Sequence, residues 1–300
     1  MFQAASTSKL ITALIILHFV EKEILKLDEE INNYLHSWKL PENTEHPNQK
    51  VTILDILTHR SGIPTTNFGR DDSDMIPSLV DVLEGRLPAE NEPARIKKKP
   101  KTSWEYSNLG FVILQLLLED TLKKPFPEIA YDVVFKPLKM KNSTFYYPIP
   151  EPLVTSEALP HTKDGECADP RLHPTAVAHG GLLTTPYDLA LFTSEIMLSY
   201  KGLSEKIIHK KLVRKMLQSH CDIDPDLLGL PIRQGVGVLL FGENDSLVFT
   251  HPGSNLPGAN CWLFGFPKKE FGAVIMTNGQ MGDYFCMEII KALSIVYLSN

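Results

Sequence analysis

The residues best suited to chemistry stand almost at the start of the chain, where Ser6 is followed three positions later by Lys9. If a helix begins at Ser6, this spacing puts the hydroxyl and the amine on one face, within reach of each other. Lys9 can then take the hydroxyl proton once burial or a cationic neighbour lowers its pKa from roughly 10.4. The first N–H groups of the helix, that of Ser6 included, suit a developing oxyanion. The pattern predicts a serine nucleophile.

A second candidate group lies about a hundred residues further on, in the run Tyr106-Ser107-Asn108. The run stands between a proline-containing loop and the start of a predicted helix. A turn at this point projects the Tyr106 and Asn108 side chains into a cleft, where a phenol and an amide can contact a bound molecule. We therefore expect both side chains in the same site as the serine.

A third motif, His251-Pro252-Gly253-Ser254, ends a predicted strand near the C terminus. Gly253 lets a substrate approach the backbone closely, and the N–H of Ser254 would be a second oxyanion donor. The run His179-Gly180-Gly181 fits the same His-x-Gly pattern, but a helix follows it. We favour His251 because a β-rich run precedes it.

The elements that position these groups begin with a long apolar helix, predicted from Ser6 to Leu27. Thr52 and Asp55 have the pattern of a capping box, and the helix they open should end at Gly62. Further helical patterns cover 108–120, 186–199, 205–218 and 281–298. Four β-rich runs separated by turn residues predict an antiparallel meander over 235–241, 246–251, 259–266 and 271–276.

Composition excludes several classes of function. The 300 residues, 43% hydrophobic and 22% charged, suffice for one large domain or two lobes. A net charge of -6 gives no broad attraction to nucleic acid or acidic membranes. The longest apolar run, Leu10 to Val20, is too short to span a membrane and predicts a buried helix. No signal peptide is visible, so we expect a cytoplasmic protein if Met1 is the native start.

Metal and disulfide chemistry find no support in the spacing of the cysteines and histidines. The four cysteines are far apart in the sequence and form no paired motif, and the ten histidines are scattered. We therefore expect no metal site, no disulfide framework and no cofactor. The expected partner is a small-molecule or peptide substrate.

The three motifs, in this order, resemble those of the serine β-lactamase and penicillin-binding protein superfamily. Class C β-lactamases, D-alanyl-D-alanine carboxypeptidases and family VIII carboxylesterases are the most similar groups. The stretches Phe2 to Ser6, Ile56 to Gly62 and Gly180 to Leu189 are also similar to this family. The resemblance implies an α+β fold in which an antiparallel sheet is flanked by helices, with a mostly helical second lobe. Residues 1–27 and 181–300 would form the first lobe, residues 28–180 the second, with the active site between them.

The same resemblance implies roles for the motif residues. Ser6 would be the acylated nucleophile, and Lys9 would lower its proton affinity. Tyr106, as a phenolate beside Lys9, would be the general base. Asn108 would hydrogen-bond Lys9 and a substrate carbonyl, while the backbone N–H groups of Ser6 and Ser254 would form the oxyanion hole.

Two departures from the family pattern bear on the substrate. His251 replaces the lysine of Lys-Thr-Gly and is mostly neutral at pH 7, so a substrate carboxylate loses a permanent cation. Pro252 replaces the threonine and has neither hydroxyl nor N–H. These changes favour a hydrolase of small esters, amides or peptides with weak or no β-lactamase activity. A β-lactamase or carboxypeptidase, and a catalytically silent binding or scaffold protein of the same fold, are the alternatives.

The position of the first motif has a consequence for assembly. Relatives place a helix and two strands before the serine, and those strands pair with the C-terminal sheet, whereas five residues precede Ser6 here. We therefore expect a fold lacking the N-terminal strands, with a sheet edge exposed near Phe271 to Met276. Such an edge invites pairing with another chain, as in a homodimer.

Overall fold

Short and long helices make up the larger share of the regular structure. The computed structural model describes residues 1–43, 47–66, 69–70, 75–151, 153, 157–168, 173–224 and 231–298. Within these ranges the α-helices are α1 (Ser8–Glu21), α2 (Ile53–Leu57), α3 (Leu79–Glu84), α4 (Asn108–Leu122), α5 (Phe126–Ala130), α6 (Lys136–Leu138), α7 (Pro186–Lys201), α8 (Lys210–Met216) and α9 (Gly282–Leu298). A 3₁₀ turn, Ala5–Thr7, leads into α1, and a π-helical segment, Tyr131–Phe135, joins α5 to α6.

The strands form one large antiparallel sheet and two small pairs. The described strands are β1 (Phe2–Gln3), β2 (Gly69–Arg70), β3 (Ala89–Glu90), β4 (Leu183–Thr184), β5 (Cys221–Ile223), β6 (Ile232–Gln234), β7 (Leu239–Phe241), β8 (Val248–Thr250), β9 (Gly253–Asn255), β10 (Ala259–Phe266) and β11 (Phe271–Thr277). The large sheet runs β11-β10-β8-β7-β6-β5, and β9 pairs with β10 beside this path. β1 pairs with β4, and β2 with β3. The α+β class and the antiparallel sheet are thus confirmed, while the two-lobe division stays a prediction.

The sheet contains three short strands, β5, β6 and β9, that the predicted meander lacks. β10 covers the predicted residues, and β11 extends one residue further, to Thr277. β5, β6 and β9 are only three residues long, too short to show an alternating pattern. These segments are strands because they pair with neighbouring strands, a tertiary contact that their own sequences do not reveal.

The first helix ends earlier than its apolar pattern predicts. α1 stops at Glu21, and Glu23 takes a left-handed conformation with a φ of 60°. The N–H groups of Ile24 and Leu25 then both donate a hydrogen bond to the carbonyl of Phe19. Beyond this turn Leu25 and Leu27 are buried in the core, and residues 22–27 do not continue the helix as predicted.

The sheet ends at β11, in agreement with the expected edge near Phe271 to Met276. Within the described part of the chain β11 pairs only with β10, while α7 and α9 pack against both strands. Pairing with a second chain at this edge stays a prediction.

The first helix, α1, which carries Lys9, runs through the hydrophobic core. Every residue from Ser8 to Leu17 is buried, as predicted for the apolar run. The polar residues of α1 have partners: the Thr12 hydroxyl donates to the carbonyl of Ala178 at 2.8 Å. No helix in the described ranges is both long enough and apolar enough to cross a membrane.

A buried amide on α4 secures the chain segment that lies beside this helix. The side-chain oxygen of Gln115 accepts the N–H groups of Val177 and Ala178 at 2.9 and 3.0 Å. Its nitrogen donates to the carbonyl of Thr175 at 2.8 Å. Three backbone groups just before His179 therefore depend on one side chain.

We expect Gln115→Leu to lower the free energy of unfolding by about 2–5 kcal/mol, because a buried polar group without a partner costs roughly 1–3 kcal/mol. Urea denaturation measures the change, and Gln218→Leu, at an exposed position, is the control. A loss under about 1 kcal/mol would contradict the role of Gln115 as a structural clamp.

Candidate active site

Ser6 lies in a tight backbone turn rather than on the regular helix. The 3₁₀ turn between β1 and α1 contains Ser6, and the preceding Ala5 has a φ of 46°. That left-handed conformation costs an alanine roughly 1–2 kcal/mol, so surrounding contacts must hold it. The Ser8 hydroxyl donates to the Ala5 carbonyl at 2.6 Å and accepts the Leu182 N–H at 3.0 Å. The Ser8 side chain therefore holds the backbone turn that contains Ser6.

The predicted contact between the serine and the lysine is present. The Lys9 Nζ lies 3.2 Å from the Ser6 Oγ and donates to the backbone carbonyl of His179 at 2.6 Å. Lys9 is completely buried, and desolvation lowers its pKa well below the usual value. Burial thus favours the neutral amine, the form that can accept a proton from Ser6.

Tyr106 also reaches Ser6. Its side chain is hydrogen-bonded to Ser6, and the Lys9 Nζ lies 4.8 Å from the centre of its ring. Burial is the largest cause of the rise in the pKa of Tyr106 above its usual value, which favours the neutral phenol. The catalytic role of Tyr106 stays a prediction.

Three histidines lie close enough to Lys9 to feel its charge, and two of them, His59 and His251, are buried. Burial, and secondarily the charge of Lys9, lowers the pKa of His251 to about 3. The same two causes, in the same order, hold the pKa values of His59 and His179 well below their usual range. These imidazoles are neutral at pH 7, so the centre lacks the permanent cation that a lysine in place of His251 would supply.

β9 passes directly against the turn that holds the nucleophile. A Cβ added to Gly253 would lie 2.1 Å from the carbonyl oxygen of Ala4 and 2.9 Å from the Ser6 nitrogen. Only glycine fits this approach. The Thr7 hydroxyl reinforces it by donating to the carbonyl of His251 at 2.8 Å. Ser254, the next residue of β9, is exposed, and its oxyanion role stays a prediction.

Asn108 lies at the start of α4 but does not make the expected bond to Lys9. Its Nδ2 donates to the carbonyl of Thr66 at 3.4 Å, while its buried Oδ1 accepts no hydrogen bond from the described residues. The Lys9 amine is instead directed to Ser6 and His179. The expected contact of Asn108 with a substrate carbonyl stays a prediction.

Two contributors to the site were missed by the sequence reasoning. The backbone carbonyl of His179 accepts a hydrogen bond from Lys9, whereas the His-x-Gly pattern favoured His251 over His179 as the site residue. His59 packs against Tyr106 with 4.5 Å between ring centres. The only sequence signal for His59 was its place in the Ile56 to Gly62 stretch, because its proximity to Tyr106 arises from tertiary structure.

Comparisons with known proteins identify the family and the fold. The family model described as Beta-lactamase matches residues 1–295. Protein flp of Staphylococcus aureus (strain MW2) is 25% identical over 281 residues, which are 92% of this chain and 52% of flp. The chain thus spans about half the length of this curated relative.

Among solved structures, similar ones include an octameric penicillin-binding protein homologue from Pyrococcus abyssi. It is 23% identical with a TM-score of 0.77, over 100% of this chain and 66% of its own. A D-amino acid amidase from Ochrobactrum anthropi SV3, complexed with L-phenylalanine, is 20% identical with a TM-score of 0.75, over 98% of this chain and 84% of its own. At these identities the two likenesses show the fold.

The close approach of β9 gives a test of the site geometry. Gly253→Ala should push the turn that holds Ser6 out of place, since the new Cβ meets backbone atoms. A displacement on the order of 1 Å can cost about 10²-fold in rate, so labelling of Ser6 by a fluorophosphonate should slow by that order. Gly279→Ala, whose Cβ meets nothing within 4 Å, is the control. Equal labelling rates in both variants would refute the geometry.

Proposed function

The chain belongs to the Beta-lactamase family, and we propose that it is a serine hydrolase that cleaves small uncharged esters, amides or peptides through an acyl-enzyme on Ser6. The observation that carries the proposal is the 3.2 Å contact between the Ser6 Oγ and a lysine amine that burial drives towards its neutral form. A serine with such a base at hydrogen-bond distance is an activated nucleophile.

In acylation the Ser6 Oγ attacks the substrate carbonyl carbon while its proton passes to the Lys9 Nζ. The negative charge that develops on the carbonyl oxygen is received by the backbone N–H groups of Ser6 and Ser254. The tetrahedral intermediate collapses, and the leaving alcohol or amine takes a proton from the Lys9 ammonium. The phenol of Tyr106, hydrogen-bonded to Ser6 and close to Lys9, relays that proton.

Deacylation repeats these steps with water as the nucleophile. The regenerated neutral amine of Lys9 accepts a proton from the water, whose oxygen attacks the acyl carbon. The bond between that carbon and the Ser6 Oγ then breaks, and the Oγ recovers a proton from Lys9. A carboxylic acid leaves the site, and both side chains return to their starting state.

The polar groups around the site favour uncharged substrates. A carboxylate beside the scissile bond would meet a neutral His251, and Pro252 offers it no hydroxyl. These features support an esterase or amidase with weak β-lactam turnover. The fold likeness to a D-amino acid amidase is compatible with this assignment.

The nucleophile is tested by incubating the protein with p-nitrophenyl acetate and, separately, with a fluorescent penicillin, followed by intact mass measurement. We expect ester hydrolysis and an adduct on Ser6, with hydrolysis lowered on the order of 10³-fold or more in Ser6→Ala. Ser103→Ala, at an exposed position, is the control. If the parent shows neither hydrolysis nor an adduct and Ser6→Ala behaves identically, the protein is a silent member of its family.

The proposed base gives a pH dependence of defined sign. Lys9 must be unprotonated to act, so kcat/KM should rise with pH through an apparent pKa well below 10.5. Because burial raises the pKa of Tyr106 above its usual value, its ionisation should cause no further change up to pH 10. Tyr106→Phe should retain the rising limb at a lower rate, whereas Lys9→Met should lose it. A rising limb that disappears in Tyr106→Phe would make Tyr106 the base instead.

A further inference from the structure

The backbone on both sides of Tyr106 is hydrogen-bonded to one residue, His59. Residues 103–106 form no helix or strand. On one side of Tyr106, the N–H of Glu105 donates to the carbonyl of His59 at 2.8 Å. On the other side, the N–H of Ser107 donates to the His59 Nδ1 at 3.1 Å. His59 therefore holds both neighbours of Tyr106.

The imidazole of His59 also packs against the phenol ring itself. The two ring centres are 4.5 Å apart, with 36° between their planes. Phe111 and Trp104 lie next to the same imidazole, with ring centres 5.5 and 5.9 Å away. Since His59 is only 2% exposed, water does not compete for these contacts.

From these contacts we propose that His59 is a positioning residue that places the Tyr106 hydroxyl on Ser6 for acyl transfer. The inference rests on the proposed function, because it assigns the contacts to the proton relay between Ser6 and Lys9. A packed ring and two hydrogen bonds fix the Tyr106 backbone and the plane of its ring. A phenol held in this way keeps its hydroxyl on the Ser6 Oγ through acylation and deacylation.

The backbone of His59 has the strained conformation that such a role requires. Its φ is 55°, in the left-handed region, at a cost of about 1 kcal/mol or more for a residue other than glycine. Its own N–H donates to the carbonyl of Ile56 at 3.0 Å, which ties the residue to the end of α2. In this position the carbonyl and the Nδ1 both face the Tyr106 segment.

The hydrogen bond to Ser107 also fixes the state of the ring. Because the His59 Nδ1 accepts an amide proton, it carries no proton of its own, and the neutral ring has its hydrogen on Nε2. An imidazolium cannot accept this bond. Burial, which lowers the pKa of His59, helps to keep the accepting form.

Two substitutions of His59 distinguish the contribution of its hydrogen-bond acceptor from that of its ring packing. His59→Asn keeps an oxygen acceptor near the position of Nδ1 and tolerates the left-handed backbone. His59→Phe keeps a ring but has no acceptor. We expect His59→Phe to lower kcat about 10- to 100-fold with KM within about threefold, since a displacement of about 1 Å costs about that much. His59→Asn should recover most of the lost kcat.

A double-mutant cycle tells a positioning role from a general loss of structure. In a Tyr106→Phe background there is no hydroxyl to place, so His59→Phe should lower kcat by no more than about twofold further. An undiminished effect of His59→Phe in that background would overturn the proposal. Thermal unfolding of each variant confirms that the folded protein is being assayed.

Hydrogen exchange of the Ser107 amide tests the contact without relying on activity. The amide should exchange at least tenfold faster in His59→Phe than in the parent and remain protected in His59→Asn. Equal exchange in all three proteins would overturn the proposal. If Ser6→Ala hydrolyses substrate as the parent does, the proposed function fails, and the exchange measurement alone still decides whether His59 holds the Tyr106 segment.

Discussion

The structure is organised around one buried amine. Lys9 lies on a helix that is enclosed on all sides, and its Nζ is held between the Ser6 hydroxyl and the carbonyl of His179. An ammonium group in such a place would be poorly solvated, so the enclosure itself supplies the basicity that an exposed lysine lacks at neutral pH. The segment before His179 is in turn held by Gln115, which extends the dependence from the site to α4. The proposed basicity of Lys9 and the packing of the core therefore depend on the same buried contacts.

Two residues next to the site adopt left-handed backbone conformations that their side chains disfavour. Ala5 precedes the nucleophile, and His59 supports the segment of Tyr106. In each case hydrogen bonds from a second element hold the strained residue, from Ser8 in the first and from Glu105 and Ser107 in the second. Ser8 in turn accepts the N–H of Leu182, and the donors to His59 are more than forty residues away from it, so both strained residues are linked to distant parts of the chain. This coupling makes the positions of Ser6 and Tyr106 a property of the whole fold.

The sequence was informative where a side chain acts through its own type and local spacing. The predicted contact between Ser6 and Lys9 forms across their spacing of three residues, although Ser6 lies in a 3₁₀ turn and α1 begins only at Ser8. The capping box at Thr52 forms as predicted. Residues that act through tertiary neighbours escaped prediction: His59 meets Tyr106 only because α2 packs against α4. Burial raises the pKa of Tyr106, an effect that the sequence does not report because desolvation depends on tertiary packing. The predicted hydrogen bond between Asn108 and Lys9 is not formed. The Lys9 amine instead donates to the backbone carbonyl of His179, a partner that no sequence motif reports.

The neutrality of the three histidines around Lys9 bears on the end of a catalytic cycle. The acid formed by hydrolysis ionises as it reaches water, and a carboxylate is retained only where a fixed positive charge or several donors oppose its departure. His59, His179 and His251 provide no such charge at pH 7. For the hydrolase proposed here, the reaction product is therefore a poor ligand of the site that made it. Weak retention of the product would leave the proposed site open to the next substrate.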